Sequence, residues 1–313
     1  MENFVIITDS SCDMPKDFRE KYSIDDCLMG LIYFPDGHSE YVDFDWEKYD
    51  PVEFYESMRD KKVNYKTAYA PMGDILATFE KHLKSGKDII CITLSSALSG
   101  TYQSCEMAKN ELLQKYPERK IICVDSLRYS LACTQLVIMA AKKRAEGFTL
   151  EETVQYLENN KNRIHQMGSM DDLFFLCKTG RITNFKAFFG TLMGINAMAD
   201  INRKGLSEVV CKVKGKKTAL DAIINYMKNT IVNPQEQTIF IAQSNRQAAA
   251  ELLRDMIIEE FSPKEVIIAP LGMSSGVSIG PGLCAAYYLG EEISADMALE
   301  KQIMADFLEK RGK

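Results

Sequence analysis

Histidine is scarce in this chain: 313 residues carry three, His38, His82 and His165. They stand too far apart for a local metal-binding motif, and no metal is expected. The nine cysteines are an odd number, none forms a C-x-x-C pair, and their closest spacing is Cys123 to Cys133. That pattern argues against a disulfide framework and a sulfur metal site, and for buried thiols in a reducing compartment. There is no G-x-x-x-x-G-K-[ST] loop and no G-x-G-x-x-G fingerprint, which leaves no basis for a P-loop kinase or a Rossmann dehydrogenase. A basic excess is lacking too. The 38 Lys and Arg are scattered among 44 Asp and Glu, for a net charge of −6, so nucleic acid is not an expected partner. The longest uncharged stretch, Val266 to Gly290, contains five glycines and two prolines and reads as strand, loop and strand rather than a membrane span. The opening Met1-Glu2-Asn3-Phe4 has no basic n-region, so a cytoplasmic location is expected.

What the chain does have is apolar mass, 46% of its residues, enough for a substantial core and two domains. Phe4 to Asp9, Ile89 to Leu94 and Ile121 to Ser126 are short, nearly continuous apolar runs ending in polar residues. Strands buried on both faces look like this. Helical patterns follow at Met72 to Lys84, Leu98 to Lys115 and Tyr129 to Glu146, with a further one at Thr149 to Arg163. Strands alternating with helices predict a parallel sheet covered on both sides. Beyond residue 163 the pattern shifts. His165 to Met170, Asn196 to Asn202 and Leu206 to Val213 resemble strands, the last two joined at the turn Arg203-Lys204-Gly205. Helices at Thr218 to Met227, Arg246 to Glu260 and Ala295 to Glu309 and strands at Thr238 to Ala242 and Glu265 to Ala269 complete this half. The expected fold class is α/β: a parallel-sheet N-terminal domain over residues 1–163 with helices on both faces, and a smaller α+β C-terminal domain over residues 164–313.

In open parallel sheets ligands sit beyond the carboxyl ends of the strands, where Asp9-Ser10, Ser95-Ser96 and Asp125-Ser126 emerge. The run Ser95-Ser96-Ala97-Leu98-Ser99-Gly100-Thr101 crowds hydroxyls at a strand-to-helix corner. Orphan N–H groups and the helix dipole favour a carboxylate or phosphate there, and Gly100 lets it approach the backbone. A serine N-cap opening an ordinary helix accounts for the same residues. Lys66-Thr67-Ala68-Tyr69-Ala70-Pro71 reads as a loop leading into the next helix, with plain turn chemistry as the alternative.

Gly272-Met273-Ser274-Ser275-Gly276 matches a G-x-S-x-G elbow. In that fold the histidine follows the serine in the chain, whereas here every histidine precedes residue 166. Val277 to Leu289 also reads as loop and strand rather than the required helix, so a serine hydrolase is disfavoured. Gly280-Pro281-Gly282 brings a backbone close to a polar head group or to another strand. Phe174, Phe175, Phe185, Phe188, Phe189 and Met193 concentrate aromatic and apolar bulk, which spacing alone assigns to core.

Taken in order, five blocks resemble the DegV family of bacterial fatty-acid-binding proteins over essentially the whole chain. They are Thr8-Asp9-Ser10-Ser11-Cys12-Asp13-Met14-Pro15, the Lys66-Thr67 loop, Ser95 to Tyr102, Lys178-Thr179-Gly180-Arg181-Ile182, and Gly280-Pro281-Gly282. The resemblance implies one long-chain fatty acid held between two domains and presented to a separate ATP-dependent fatty acid kinase, which makes an acyl phosphate. The chain is then a carrier subunit without turnover or cofactor of its own, and transient membrane contact is compatible with that role. By motif, the resemblance gives Thr67 the carboxylate-binding role with Ser95 and Ser96 as the serine pair. It places Arg181, Ser278, Gly280 and Gly282 in the head-group network, and it raises the six aromatic and apolar residues from core to tunnel wall. Arg181 capping a helix end or pairing with a surface carboxylate is the alternative. The chain departs from the family pattern at Ser278, where a histidine is usual. It departs again at Ala68-Tyr69, where Ser-Gln is common, and at Met14, where leucine is usual. Losing a histidine removes a titratable donor and leaves Ser278 as a neutral one. A small-molecule phosphotransfer or hydrolytic enzyme using the Ser95/Ser96 corner is the competing expectation.

Overall fold

The computed structural model describes residues 4–60, 62–171, 174–183 and 194–311. The chain divides into two units. One comprises Met1–Lys48, Asn64–Lys161 and Gly272–Ser275, the other Tyr49–Val63, Asn162–Leu271 and Gly276–Lys313.

In the first unit, β1 (Phe4–Asp9), β2 (Asp26–Leu28), β6 (Asp88–Thr93) and β7 (Ile121–Asp125) form a parallel sheet in the order β2-β1-β6-β7. Successive side chains point to opposite faces. Ile7, Cys91 and Cys123 pack with Phe79 of α3 (Met72–Lys84) and with Cys105 and Leu112 of α4 (Thr101–Lys115). The opposite face meets α5 (Leu131–Ala145) and α6 (Leu150–Asn160). Eleven residues of α5 are buried, which is why that helix shows little polar periodicity in the sequence. α6 starts at a capping box: Thr149 Oγ accepts the Glu152 N–H at 3.2 Å and Glu152 accepts the Thr149 N–H at 2.8 Å. The short helix α1 (Lys16–Lys21) follows Pro15, whose fixed φ suits a helix entry.

A small antiparallel sheet, β4-β3-β5, joins β3 (Leu31–Tyr33), β4 (Ser39–Tyr41) and β5 (Lys66–Ala68). The Lys66–Pro71 segment is therefore a strand at its start, not wholly a loop. Its backbone groups are satisfied by Leu31–Tyr33, a pairing no local pattern announces. α4 begins at Thr101 rather than Leu98, because Ser95 to Ser99 close a turn through Leu98 N–H and Ser99 N–H to Ser95 O.

The second unit is built on a seven-stranded mixed sheet in the order β13-β12-β14-β8-β10-β11-β9. Its strands are β8 (Ile164–Met170), β9 (Ile182–Thr183), β10 (Ile195–Ile201), β11 (Ser207–Lys214), β12 (Thr238–Gln243), β13 (Glu265–Pro270) and β14 (Leu283–Leu289). α8 (Lys216–Thr230), α9 (Gln247–Phe261) and α11 (Ala298–Arg311) cover one face through a core including Met167, Met198, Ile223, Ile241, Leu253 and Met304. Within that core His165 and Asp200 are buried together, Nδ1 to Oδ2 at 2.8 Å. α2 (Pro51–Ser57), capped by Asp50, and α7 (Phe174–Thr179) are short additions.

Residues Met273–Ile279 form a helix, α10, which corrects the expectation that loop and strand begin at Val277. The strand starts only at Leu283. Two glycines of the G-x-S-x-G match serve close approach. A Cβ on Gly276 would lie 2.1 Å from Tyr55 Oη, and one on Gly272 would lie 2.1 Å from Asp13 Oδ1. Tyr55 is fully buried and donates to Leu271 O at 2.6 Å, so its ring has little freedom to yield. Gly276→Ala is expected to cost about 1–3 kcal/mol, read as a lower urea midpoint.

Candidate functional site

The carboxyl ends of the parallel strands are tied together by two acids. Asp9, last residue of β1, accepts the Ser11 N–H at 2.7 Å and the Leu94 N–H at 2.8 Å, so it fixes the start of the Ser95 turn against its own strand. Asp125, last residue of β7, accepts the Ser96 N–H at 3.1 Å and the Leu127 N–H at 3.1 Å. Burial pushes the Asp9 carboxyl above its ordinary range, although these N–H groups pull the other way. Ser95 is fully buried and its Oγ accepts the Ala97 N–H at 3.2 Å. Ser96 is half-buried, and its hydroxyl carries no hydrogen bond among the described residues.

Thr67 stands on β5, two residues before Tyr69. The Tyr69 ring packs on Gly100 so closely that a Cβ there would lie 3.1 Å from Cε1. Thr67 is paired opposite Ile32 and so shares a sheet face with that fully buried side chain. It is half-buried, and its hydroxyl likewise has no partner among the described residues.

Two further serines meet here: Ser10, already expected beyond the end of its strand, and Ser274, whose place no local pattern announces. Ser10 is buried; its Oγ accepts the Gly30 N–H at 3.0 Å and lies 3.1 Å from Ser274 Oγ. Gly30 has no room for a side chain, since a Cβ would meet Ala68 O at 2.7 Å. Ser10, Gly30 and the residue after Thr67 are thus in contact. The Ser130 N–H donates to Ser11 O at 2.8 Å. Below them Asp13 sits at a positive φ of 53°, its carboxyl pushed up to about 7 by burial and opposed in part by Ser130, Gly272 and Ser275. These neighbours are near, but neither Asp13 oxygen has a hydrogen bond of good geometry.

The remaining expected residues lie in the second unit. Gly280 and Gly282 have φ of 81° and 103°, the left-handed region that favours glycine. Ser244 holds their loop: its Oγ donates to Gly280 O at 2.8 Å and accepts the Leu283 N–H at 2.9 Å. Phe175 is buried against Gly280, where a Cβ would lie 2.2 Å from Cδ2, and Phe174 meets Phe175 edge-on at 5.3 Å. Ser278, on α10, is half-buried and its carbonyl accepts from Thr179 Oγ1 at 3.3 Å. Arg181 is exposed and donates to Thr179 O at 2.8 Å, at the end of α7. Phe185, Phe188, Phe189 and Met193 lie outside the described residues.

The three imidazoles have partners elsewhere: His38 with Asp36, His82 with Asp26 and His165 with Asp200. No described serine hydroxyl is hydrogen-bonded to an imidazole. Among the described residues no group of three or more His, Cys, Asp or Glu is placed to hold a metal, and no helix is long and apolar enough to cross a membrane.

Fold and site define a two-unit α/β protein with an uncharged hydroxyl corner at the carboxyl ends of a parallel sheet. The chain belongs to the DegV family: the family's model, described as that of uncharacterised DegV proteins, matches residues 3–291. A DegV domain-containing protein of Clostridium perfringens is 35% identical over 291 residues, covering 93% of this chain and 99% of its own. Two Thermotoga maritima structures, each 25% identical, share the fold. One, a DegV lipid-binding protein, has a TM-score of 0.80 over 93% of this chain and 99% of its own. The other, whose structure is described as revealing a fatty-acid-binding function, has a TM-score of 0.77 over 92% and 100%.

Proposed function

We propose that this chain binds a long-chain fatty acid in the cytoplasm and presents its carboxylate to a separate ATP-dependent kinase, without turnover of its own. The kinase moves the γ-phosphoryl group of ATP to a carboxylate oxygen, giving acyl phosphate and ADP. The carrying observation is the pair of uncommitted hydroxyls on Thr67 and Ser96. Both side chains are half-buried, neither hydroxyl has a partner among the described residues, and Ser96 follows Ser95 on the turn that the Asp9 and Asp125 carboxylates hold in place. The Thermotoga maritima relative with fatty-acid-binding function supports the same ligand class.

Neutral hydroxyls suit a carrier. They donate to a carboxylate without the strong grip of a buried arginine pair, so its oxygens stay available to the phosphoryl group. Affinity then comes from the tail: about fourteen methylenes of a sixteen-carbon acid, at ~0.8 kcal/mol each, give roughly 11 kcal/mol before association costs. The roles of Arg181, Ser278, Gly280 and Gly282 in the head-group network, and of Phe174 and Phe175 along the acyl chain, belong to this proposal.

Native mass spectrometry of the protein purified from bacterial cells is expected to show a retained fatty acid. Titration with hexadecanoic acid should show Thr67→Ala and Ser96→Ala each weakening binding about tenfold, the loss of one hydrogen bond to a charged group. Ser95→Ala should also weaken it, with a loss of stability because Ala97 N–H loses its acceptor. Protein that emerges empty and ignores added acid would sink the proposal. If binding survives but the carrier, kinase, ATP and acid together yield no acyl phosphate, only the presentation step falls.

A further inference from the structure

We infer that Ser274 is a further hydroxyl donor to the head group, poised by Ser10; this rests on the proposal that the first unit's corner takes the carboxylate. Ser10 Oγ accepts the Gly30 N–H at 3.0 Å and has Ser274 Oγ 3.1 Å away. Ser10 is 4% exposed, so its own hydroxyl proton needs an acceptor inside the protein, and Ser274 Oγ is the acceptor within reach. Donation therefore runs from Gly30 N–H to Ser10 and from Ser10 O–H to Ser274.

That direction leaves the Ser274 proton unspent. Ser274 is half-buried, and Ser10 is the only partner of its hydroxyl among the described residues. A hydroxyl that accepts one hydrogen bond and donates another is polarised by the first, which makes it a better donor to an anion. Its position fits the corner. Gly30, the source of the chain, lies against Ala68 O, one residue from Thr67, and Ser10 follows directly on Asp9, which binds Leu94 N–H beside Ser95.

The G-x-S-x-G match around Ser274 thus acquires a different use. As a nucleophile the residue would need a base, and its neighbour is another serine. As a donor it needs only an acceptor for its proton, and a fatty-acid carboxylate supplies two oxygens.

The test compares hexadecanoic acid with hexadecan-1-ol on the full chain, since the two share a tail and differ in the anionic head. Ser274→Ala is expected to weaken the acid about tenfold and leave the alcohol within about twofold. Ser10→Ala should weaken the acid in the same direction, and Ser274→Thr, which keeps the hydroxyl, should restore it. Acid binding by Ser274→Ala equal to wild type, or equal losses for acid and alcohol, overturns the inference while the fatty-acid proposal stands. A wild-type chain that binds neither probe overturns both.

Discussion

Asp200→Asn is expected to lower the unfolding free energy of the second unit by about 3–5 kcal/mol, the cost of breaking a buried ion pair from one side. His165 and Asp200 are 1% and 0% exposed at their side chains. The imidazole faces an acceptor at each nitrogen, Asp200 Oδ2 at 2.8 Å and the Glu291 carbonyl at 3.0 Å. It also stacks on Tyr288, ring centroids 5.3 Å apart. Asp200 spends every oxygen: Oδ2 also accepts from Tyr226 at 2.9 Å, and Oδ1 takes the Gln166 and Ile201 N–H groups at 2.8 and 2.7 Å. An asparagine turns one oxygen into an NH2 facing donors, in a place water cannot repair. Burial alone would raise the Asp200 carboxyl, but the His165 charge and these hydrogen bonds outweigh it and leave it below 3.8. The pH dependence follows from that sign. The stabilisation is fully present above pH 3.8 and is lost as pH falls through the lower native value. The variant should show a reduced urea midpoint at pH 7 and a flatter acid limb. Far-UV circular dichroism is the suitable probe, because the single tryptophan, Trp46, belongs to the first unit. An unchanged midpoint would remove the pair from any structural role.

Legibility in the sequence followed the range of the interaction. β1, β6 and β7 announce themselves because a parallel strand covered on both faces is apolar at every position. The hairpin of β10 and β11 is equally plain, its turn closed at Gly205 with φ 77°. The three-residue strands β2 to β5 are too short for any period to show, and Lys66–Ala68 is a strand solely because Leu31–Tyr33 lies beside it. α10 was hidden for another reason. Its Ser-Ser-Gly sequence is a poor helix former, and its small residues answer to Asp13 and Tyr55, far away in the chain.

The same holds for the corner. The Ser95 run and the Asp9-Ser10 strand end could be picked out, since hydroxyls at strand ends are a local feature. Ser274 could not be placed there, because its contact with Ser10 spans 264 residues. The signal was present as a pair of serines between two glycines. Without the fold it only matched a catalytic elbow that the order of the histidines already disfavoured.

Asp13→Asn is expected to stabilise the first unit at pH 8 by as much as about 4 kcal/mol and to leave it unchanged near pH 3. Asp13 is buried, and burial is the largest cause of its carboxyl standing at about 7 instead of 3.8. The Asp9 carboxylate adds to that rise; the hydroxyls of Ser130 and Ser275 and the Gly272 N–H oppose it without cancelling it. A raised carboxyl makes the native state the tighter proton binder between those two pH values. Stability from this group is therefore complete below pH 3.8 and falls as pH rises to about 7, by ~4 kcal/mol at about 1.4 kcal/mol per decade of affinity. Asparagine carries no charge to desolvate. It tolerates a φ of 53° as aspartate does, its oxygen can accept from Gly272, and its NH2 can donate to Ser130 Oγ, which has no partner of good geometry. Urea melts followed by Trp46 fluorescence from pH 3 to 8 should show the wild-type midpoint falling across this window and the variant's midpoint level. Parallel curves for the two proteins would mean that Asp13 does not titrate there. Because Asp13 touches Gly272 and Ser275 on either side of Ser274, a charge appearing on it above pH 7 acts on the segment that carries that serine. On the proposed function, the corner's hold on a fatty-acid carboxylate is then expected to be weakest where the native state is least stable, and the variant should remove both dependences together.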